Sequence, residues 1–105
     1  MAKRVTKDNF QEEVLESTLP VLVEFYSDSC VACKRLAPIL GDLEDSYEGK
    51  ISVVKVNTNY DHELSGMYDI MSNPTLILFV NGEKVVQKSG VTSLKEIEKW
   101  IEEYL

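Results

Sequence analysis

The feature that most constrains this chain is a pair of cysteines placed where an apolar run meets a helix-like stretch. The run Pro20–Tyr26 is continuous and rich in β-branched residues, which predicts a strand covered on both faces. The stretch Lys34–Tyr47 then carries apolar residues at helical spacing. Cys30 and Cys33 stand between the two and are the only cysteines of the chain. Both thiols are therefore predicted to lie at a strand-to-helix junction.

This junction predicts a redox-active dithiol. The first N–H groups of a helix lack partners within the helix and lie at the positive end of its dipole, so we expect them to stabilise a thiolate at Cys30. Cys33 lies about one helical turn further on, close enough to Cys30 to form a disulfide. The pair can then open and close without remodelling the fold.

Two other uses of such a pair compete with redox exchange. A zinc site would need a second pair of ligands, and His62 is the only further strong soft ligand in the chain. A permanent disulfide across two residues would close so short a loop that it constrains the unfolded chain little. In a reducing cytosol, cysteines at this spacing are more often catalytic or metal-binding than structural. We interpret the pair as a redox pair and expect no metal.

Size and charge limit the possible partners. With 105 residues the chain can bury a core, and we predict a single domain over residues 1–105. Lys and Arg number 11 against 18 Asp and Glu, and the net charge of −7 argues against nucleic acid and anionic membranes as partners. No apolar stretch follows the basic N-terminus, and no segment is apolar enough to span a bilayer. We expect a cytoplasmic monomer.

Apolar periodicity predicts the order β-α-β-α-β-α-β-β-α. The alternating first part demands parallel strands, and a tight Asn81-Gly82 turn makes the last two strands antiparallel. We therefore predict an α/β fold with a mixed five-stranded sheet, made of central parallel strands and an antiparallel C-terminal hairpin, flanked by four helices. The first helix is expected from Asp8 to about Ser17, and the last is expected to begin at a capping box of Ser93 and Glu96.

The last predicted helix has an apolar stripe, and the second contains a proline. The stripe is expected to be buried and consists of Leu94, Ile97, Ile101 and Tyr104. Pro38 is expected to kink the second helix without ending it.

Glu24 interrupts a strand that should be wholly buried. A carboxylate is costly to bury in its charged form, so we expect a raised pKa. If the strand alternates, Val23 and Phe25 face one way and Glu24 faces the other, toward the next helix and its cysteines. We interpret Glu24 as a proton acceptor for Cys33. The alternative is an exposed strand end at which Glu24 pairs with Lys55.

Several short stretches occur in a characteristic order. They are Val-Glu-Phe-Tyr, Cys-x-x-Cys-Lys with Leu-Ala-Pro-Ile-Leu, Val-Lys-Val-Asn, Asn-Pro-Thr-Leu-Ile-Leu-Phe, Asn-Gly-Glu and Ser-Gly-Val. With these stretches the chain resembles the thioredoxin family over nearly its whole length. The resemblance implies a thioredoxin fold and a protein dithiol–disulfide oxidoreductase of the disulfide-reductase type.

The resemblance also implies roles for individual residues. Cys30 would attack substrate disulfides, and Cys33 would resolve the mixed disulfide. Glu24 and Lys55 would be the buried acid and its lysine neighbour. Pro74 would be cis and would pack beside the cysteines. The expected substrate-binding residues are Ser29, Val31, Ala32, Asn73 and Gly90.

The implied partners are proteins that contain disulfides and a flavin-containing thioredoxin reductase that supplies electrons. The chain itself has no Gly-rich nucleotide-binding turn, and we expect it to bind no cofactor. Two other functions stay open. One is an interaction module whose cysteines are secondary; the other is an oxidant or isomerase, because the direction of electron flow depends on the redox potential.

The chain differs from the usual family pattern at four places. The segment Ser29–Cys33 reads Ser-Cys-Val-Ala-Cys where Trp-Cys-Gly-Pro-Cys is usual. Tyr26 replaces a tryptophan, Glu24 replaces an aspartate, and Asn73 replaces an apolar residue or threonine. Because proline has no N–H, we expect Ala32 to add a backbone donor to the attacking sulfur and so to favour its thiolate.

Overall fold

The polypeptide forms a mixed sheet with helices on both faces, which confirms the predicted fold class. A computed structural model describes residues 2–105. The five strands are β1 (Lys3–Arg4), β2 (Val21–Tyr26), β3 (Ser52–Asn57), β4 (Thr75–Val80) and β5 (Glu83–Ser89). The four helices are α1 (Gln11–Leu15, a π-helical turn), α2 (Val31–Ser46), α3 (His62–Met67) and α4 (Leu94–Tyr104).

The strand order in the sheet is β1-β3-β2-β4-β5. Strand β3 pairs in parallel with β1 and with β2, whereas β4 is antiparallel to both β2 and β5. The predicted C-terminal hairpin is confirmed, and the predicted parallel pairing is confirmed for β1, β2 and β3. For β4, which follows a helix in the same alternation, the parallel prediction was wrong, because β4 runs antiparallel to β2. Asn81 and Gly82 have φ angles of 53° and 80°, the left-handed conformation that a tight hairpin turn requires. This order puts β2, which carries Glu24 and leads to the cysteines, in the centre of the sheet.

Helix α1 is shorter than predicted. The prediction began it at Asp8, but the N–H of Thr6 donates to Oδ1 of Asn9 (2.9 Å) and the N–H of Asp8 donates to Oγ1 of Thr6 (3.3 Å). These side-chain bonds close a turn that competes with the helix. The helix then closes with a bond from the N–H of Glu16 to the carbonyl of Gln11 (2.9 Å), which is the wider π spacing.

Helix α4 begins as predicted, but its buried face is different. Oγ of Ser93 accepts from the N–H of Glu96 (3.2 Å), which is the expected cap. The Glu96 carboxylate accepts a bond from Nε1 of Trp100 (3.3 Å). Trp100 is 8% exposed and Tyr104 is 39% exposed, so the prediction that Tyr104 is buried was wrong. The indole is buried because the Glu96 carboxylate satisfies its N–H.

The pleat of β2 divides the interior into two cores. Leu22 faces α2 and α4, in a core that we call the α2–α4 core, which also contains Leu36, Leu40, Leu43, Leu76, Ile97 and Ile101. Val23 and Phe25 face the other way, in a core that we call the α1–α3 core, which also contains Phe10, Val14, Leu64, Ile77 and Phe79. Glu24 shares the parity of Leu22, so its side chain points toward α2, as predicted.

Candidate active site

Cys30 is the N-cap of α2. Strand β2 ends at Tyr26, and a turn closed by a bond from the N–H of Cys30 to the carbonyl of Ser27 (3.3 Å) leads to the helix. The backbone of Cys30 is extended (φ −83°, ψ 109°), and its Sγ accepts a hydrogen bond from the N–H of Cys33 at 3.1 Å. The sulfur thus occupies the place of the oxygen acceptor in an ordinary N-cap. Both cysteines are free thiols in this structure.

The backbone donor to Cys30 is not the one predicted from Ala32. Among residues 2–105, the N–H that donates to Sγ of Cys30 is that of Cys33, the third residue of the helix. A capping side chain folds back over the first turn, so that its acceptor meets the second or third helical N–H, here the third. The expectation that Ala32 supplies an additional donor to this sulfur was therefore wrong.

Cys33 is buried more deeply than Cys30. Cys33 is only 6% exposed, whereas Cys30 is half-buried. Burial, the hydrogen bond with Cys30 and the charges of Cys30 and Glu24 together raise the pKa of the Cys33 thiol to about 12, against a backbone hydrogen bond with Ser27 that lowers it. Cys33 therefore keeps its proton at neutral pH unless a base removes it.

Glu24 is buried beside Cys33. It is 6% exposed, and its Oε2 has no hydrogen-bond partner in the part of the chain that the structure describes. Burial raises the pKa of Glu24 to about 7, against the charge of Lys55, which lowers it. A cleft of about 210 Å³ is lined by Glu24, Cys33 and Lys55, among others. The predicted raised pKa is confirmed, and the alternative of an exposed strand end is excluded.

Pro74 and its neighbours form the second wall of the site. The Asn73–Pro74 peptide bond is cis, as predicted, and Pro74 is buried. The thiol of Cys30 donates to the carbonyl of Asn73 at 3.5 Å. The N–H of Gly90 donates to the carbonyl of Pro74 at 2.8 Å, and Gly90 has a φ of 91°. The start of α2, the loop before β4 and the residue after β5 therefore meet at the cysteines.

The side chain of Asn73 points into the protein. Its Nδ2 donates to Oγ1 of Thr58 (3.1 Å), and that hydroxyl donates to the carbonyl of Tyr26 (3.1 Å). Its Oδ1 is buried and has no hydrogen-bond partner within residues 2–105. Thr58 therefore ties the loop before Pro74 to the end of β2. Sequence reasoning missed Thr58, because nothing local distinguishes this threonine from any other residue at a strand end.

Exposed apolar side chains lie in the segments around the cysteines. Val31, next to Cys30, is 69% exposed. Met71, two residues before Asn73, is 91% exposed, and Val91, next to Gly90, is 42% exposed. Ser29 is exposed and Ala32 is half-buried. Such exposed apolar residues are typical of an interaction surface. Sequence reasoning singled out Val31 but missed Met71 and Val91.

Two further properties bear on possible ligands. Within residues 2–105, no three His, Cys, Asp or Glu side chains are grouped so that they could hold a metal ion. In the same part of the chain, no helix has the length and apolar character needed to cross a membrane.

Comparison with known proteins identifies the family. The thioredoxin family model matches residues 1–103. The chain belongs to the thioredoxin family. It is 39% identical over 104 residues to "Thioredoxin 1" of Nostoc sp., covering 99% of this chain and 97% of that protein. It is 41% identical over 101 residues to a thioredoxin of Rickettsia bellii (96% of each chain), and 36% identical over 98 residues to "Thioredoxin C-2" of Corynebacterium nephridii (93% and 91%).

Membership of the thioredoxin family establishes the type of chemistry. The protein is a dithiol–disulfide oxidoreductase, and the neighbouring Cys30 and Cys33 fit the Cys-x-x-Cys site of this family. The predicted fold and oxidoreductase function are therefore confirmed. The family acts without a cofactor, and its general partners are proteins with disulfides and a thioredoxin reductase.

Proposed function

We propose that this thioredoxin-family protein reduces protein disulfides, with Cys30 as the attacking thiol and Cys33 as the resolving thiol. The observation that carries this assignment is the asymmetry of the pair. Cys30 is half-buried and its Sγ accepts a hydrogen bond from the start of α2, whereas Cys33 is buried and holds its proton. A thiolate, not a thiol, is the nucleophile in such exchange, so the first attack falls to Cys30.

The reaction takes place in two exchanges. The thiolate of Cys30 attacks one sulfur of the substrate disulfide, the S–S bond breaks, and a mixed disulfide forms while the other substrate sulfur leaves as a thiolate and takes up a proton. Cys33 gives its proton to a base, and its thiolate attacks Sγ of Cys30. The second substrate thiolate leaves and is protonated. Two electrons have passed to the substrate, and Cys30 and Cys33 form a disulfide.

Glu24 is the base in this proposal. It lines the same cleft as Cys33, its Oε2 has no protein partner among the described residues, and its pKa of about 7 lies close to neutral pH, where general acid–base groups work best. Lys55 lines the cleft too, and its charge favours the carboxylate form of Glu24. Its role is to limit how far burial raises the pKa of Glu24.

The groove for the substrate is proposed to lie between the start of α2 and the loop before β4. The supporting observations are the hydrogen bonds that join Cys30 to Asn73 and Gly90 to Pro74, and the exposed apolar side chains around them. Asn73 would contact the substrate through its backbone, because its side-chain amide is hydrogen-bonded to Thr58. Pro74 would shape the wall beside the cysteines. The remaining groove residues are Ser29, Val31, Ala32 and Gly90.

The setting of the reaction is also a proposal. A flavin-containing thioredoxin reductase would return electrons to the Cys30–Cys33 disulfide. We propose that the chain works in the cytoplasm, where the thiol pool is reduced. We also propose that it works as a monomer and as a single domain over residues 1–105, which is supported by a family match over residues 1–103 and by one continuous sheet.

Trapping the intermediate tests these roles. Alkylation of the reduced protein at mildly acidic pH is expected to label Cys30 before Cys33. The variant Cys33→Ser should accumulate a stable mixed disulfide with a disulfide-bonded peptide, and Cys30→Ser should accumulate none. Preferred labelling of Cys33, or trapping by Cys30→Ser, would overturn the assignment.

The trapped peptide complex also tests the groove. Backbone amide resonances of Val31, Ala32, Asn73 and Gly90 are expected to shift when the peptide is attached, and those of α1 are expected to stay in place. Shifts confined to residues outside this set would place the groove elsewhere.

A further inference from the structure

Lys55 lies beside Glu24 without pairing with it. The two residues are direct partners in the register of β2 and β3, so their side chains leave the same face of the sheet. Among residues 2–105, the ion pairs are those of Lys3 with Glu13 and of Lys7 with Glu63, and no hydrogen bond joins Lys55 to Glu24. The Lys55 ammonium lies instead over the ring of Tyr26, 5.3 Å from its centroid.

Tyr26 can compete with Glu24 for this one ammonium because of its position. It follows Glu24 by two residues on β2, so both side chains are on the face from which Lys55 extends. The negative face of an aromatic ring attracts an ammonium within about 6 Å. Lys55 is half-buried, so this attraction acts in partly desolvated surroundings, where it is stronger than at an open surface.

We propose that Tyr26 is a positioning residue, which holds the Lys55 ammonium away from Glu24 and so leaves the Glu24 carboxylate unpaired as a proton acceptor for Cys33. The inference rests on the role proposed above for Glu24. It assigns Tyr26 no contact with the substrate. Its effect is exerted through Lys55 alone.

The charges around Glu24 are consistent with this role. From β3 it is faced by Lys55, from the turn after β2 by Asp28, and from α2 by Cys33 and Lys34 across one cleft. A second cleft of about 230 Å³ on its other side is lined by Glu24 and Lys55 together with Glu44 and Asp45 of α2. Of these groups, Lys55 is the one whose charge lowers the pKa of Glu24, which burial raises to about 7.

An ammonium in direct contact with Glu24 would weaken it as a base. Contact with an opposite charge favours the carboxylate and lowers the pKa, and a carboxylate with a low pKa accepts a proton poorly near neutral pH. Because the ring of Tyr26 holds the ammonium at a distance, its charge acts on Glu24 without an ion pair. The aromatic ring is the essential part, and the hydroxyl of Tyr26 is dispensable.

The test follows the titration of the Glu24 carboxyl by carbon NMR of labelled protein. Tyr26→Leu removes the ring and should lower the Glu24 midpoint by roughly 0.5 to 1 pH unit, as Lys55 moves to the carboxylate. Tyr26→Phe keeps the ring and should leave the midpoint where it is in the parent protein. The decisive background is Lys55→Met, in which Tyr26→Leu should have no effect on the midpoint.

Three results would overturn the proposal. They are an unchanged or raised midpoint in Tyr26→Leu, an equal shift in the Lys55→Met background, and a shift in Tyr26→Phe as large as that in Tyr26→Leu. An equal shift with and without Lys55 would show that the ring acts by excluding water. A measurement on the parent protein needs no variant to fold: the ε-methylene protons of Lys55 should be shifted upfield by the Tyr26 ring, and an ordinary lysine shift would contradict the geometry.

The pH profile of turnover separates this inference from the function on which it rests. The inflection of kcat/KM with a disulfide substrate should move with the Glu24 midpoint in Tyr26→Leu and return in Tyr26→Phe. If the midpoint moves as expected while the inflection stays, Tyr26 does position Lys55, and the role of Glu24 as the base is wrong.

Discussion

The two cores on either side of β2 are built from the same strand and do different work. The α1–α3 core is apolar throughout and contains a ring cluster, in which Phe10, Tyr68 and Phe79 lie with centroids 5.5 to 5.7 Å apart. The α2–α4 side is apolar around Leu22 but carries Glu24 one pleat further along, facing a cleft that also reaches Cys33.

Neighbouring residues of β2 therefore serve different purposes: Val23 packs in the apolar core, whereas Glu24 faces the cleft beside Cys33. On the α1–α3 side the members of the core are apolar, and their burial favours folding. On the α2–α4 side Glu24 is buried at a cost when it is charged, and that cost is what brings its pKa to about 7. Variants on the two sides should therefore fail in different ways.

The largest expected effect is on the apolar side. Phe79 is 2% exposed and pairs in register with Val21, at the end of β2 away from the cysteines. Phe79→Ala should lower the free energy of unfolding by about 3–5 kcal/mol, because it leaves a cavity in the ring cluster. Denaturant unfolding measures this loss. Phe79→Leu should lose much less, and both variants, when folded, should keep the preference of alkylation for Cys30. A lost preference would mean that the two sides are not separate.

Glu24→Gln is expected to lower turnover while it keeps or raises the stability of the protein. Loss of the base should lower turnover by about 10²-fold. The stability of the variant, compared with that of the parent protein, should rise with pH. Below the unfolded pKa of 4.5 both states are protonated, so Glu24 has no effect; between 4.5 and about 7 only the unfolded state releases the proton, so the parent protein loses stability as pH rises.

Above pH 7 the full difference remains, about 3 kcal/mol in favour of the Gln variant as an upper limit. Urea unfolding at pH 4, 6 and 8 measures it. The exposed Glu48, which follows α2, supplies the control Glu48→Gln, for which no such trend is expected. A Glu24→Gln variant that loses stability as pH rises would show that the carboxylate is satisfied in the folded protein.

The smallest expected effect is that of Ala32→Pro. The donor to Sγ of Cys30 is the N–H of Cys33, and a proline in the first helical turn interrupts no bond of the helix. The redox potential, measured by equilibration with glutathione, should move by less than the ~10–20 mV that loss of a donor would cause. Val31→Pro, one position earlier, is the matched control. A larger shift toward reducing potentials would show that the N–H of Ala32 acts on the sulfur after all.

Local patterns were enough to predict the elements that lie deepest. Strand β2, Val21–Tyr26, lies within the predicted run Pro20–Tyr26, because an apolar run between turn residues has few alternatives. The direction of Glu24 followed from the pleat alone. The cysteine pair could be placed because a strand that turns into a helix fixes where the first N–H groups are.

What could not be predicted depends on partners distant in the sequence or on competing side chains. The inward orientation of the Asn73 amide is fixed by Thr58, 15 residues earlier, and no local pattern shows that contact. The late start of α1 came from side-chain bonds of Thr6 and Asn9, which a count of apolar residues does not register. The burial of Trp100 in place of Tyr104 depended on the Glu96 carboxylate that satisfies its indole.

The carbonyl of Asn73 has a consequence for how the protein exchanges one partner for another. In the resting dithiol this oxygen is occupied by the thiol of Cys30. In the proposed reaction that sulfur loses its proton and then bonds to the substrate, so it has no hydrogen left to donate. The oxygen is then free to accept a hydrogen bond from a peptide N–H of the substrate. The same acceptor thus serves the thiol of Cys30 before the encounter and a substrate N–H during it, and it stays open in the Cys30–Cys33 disulfide until reduction restores the thiol.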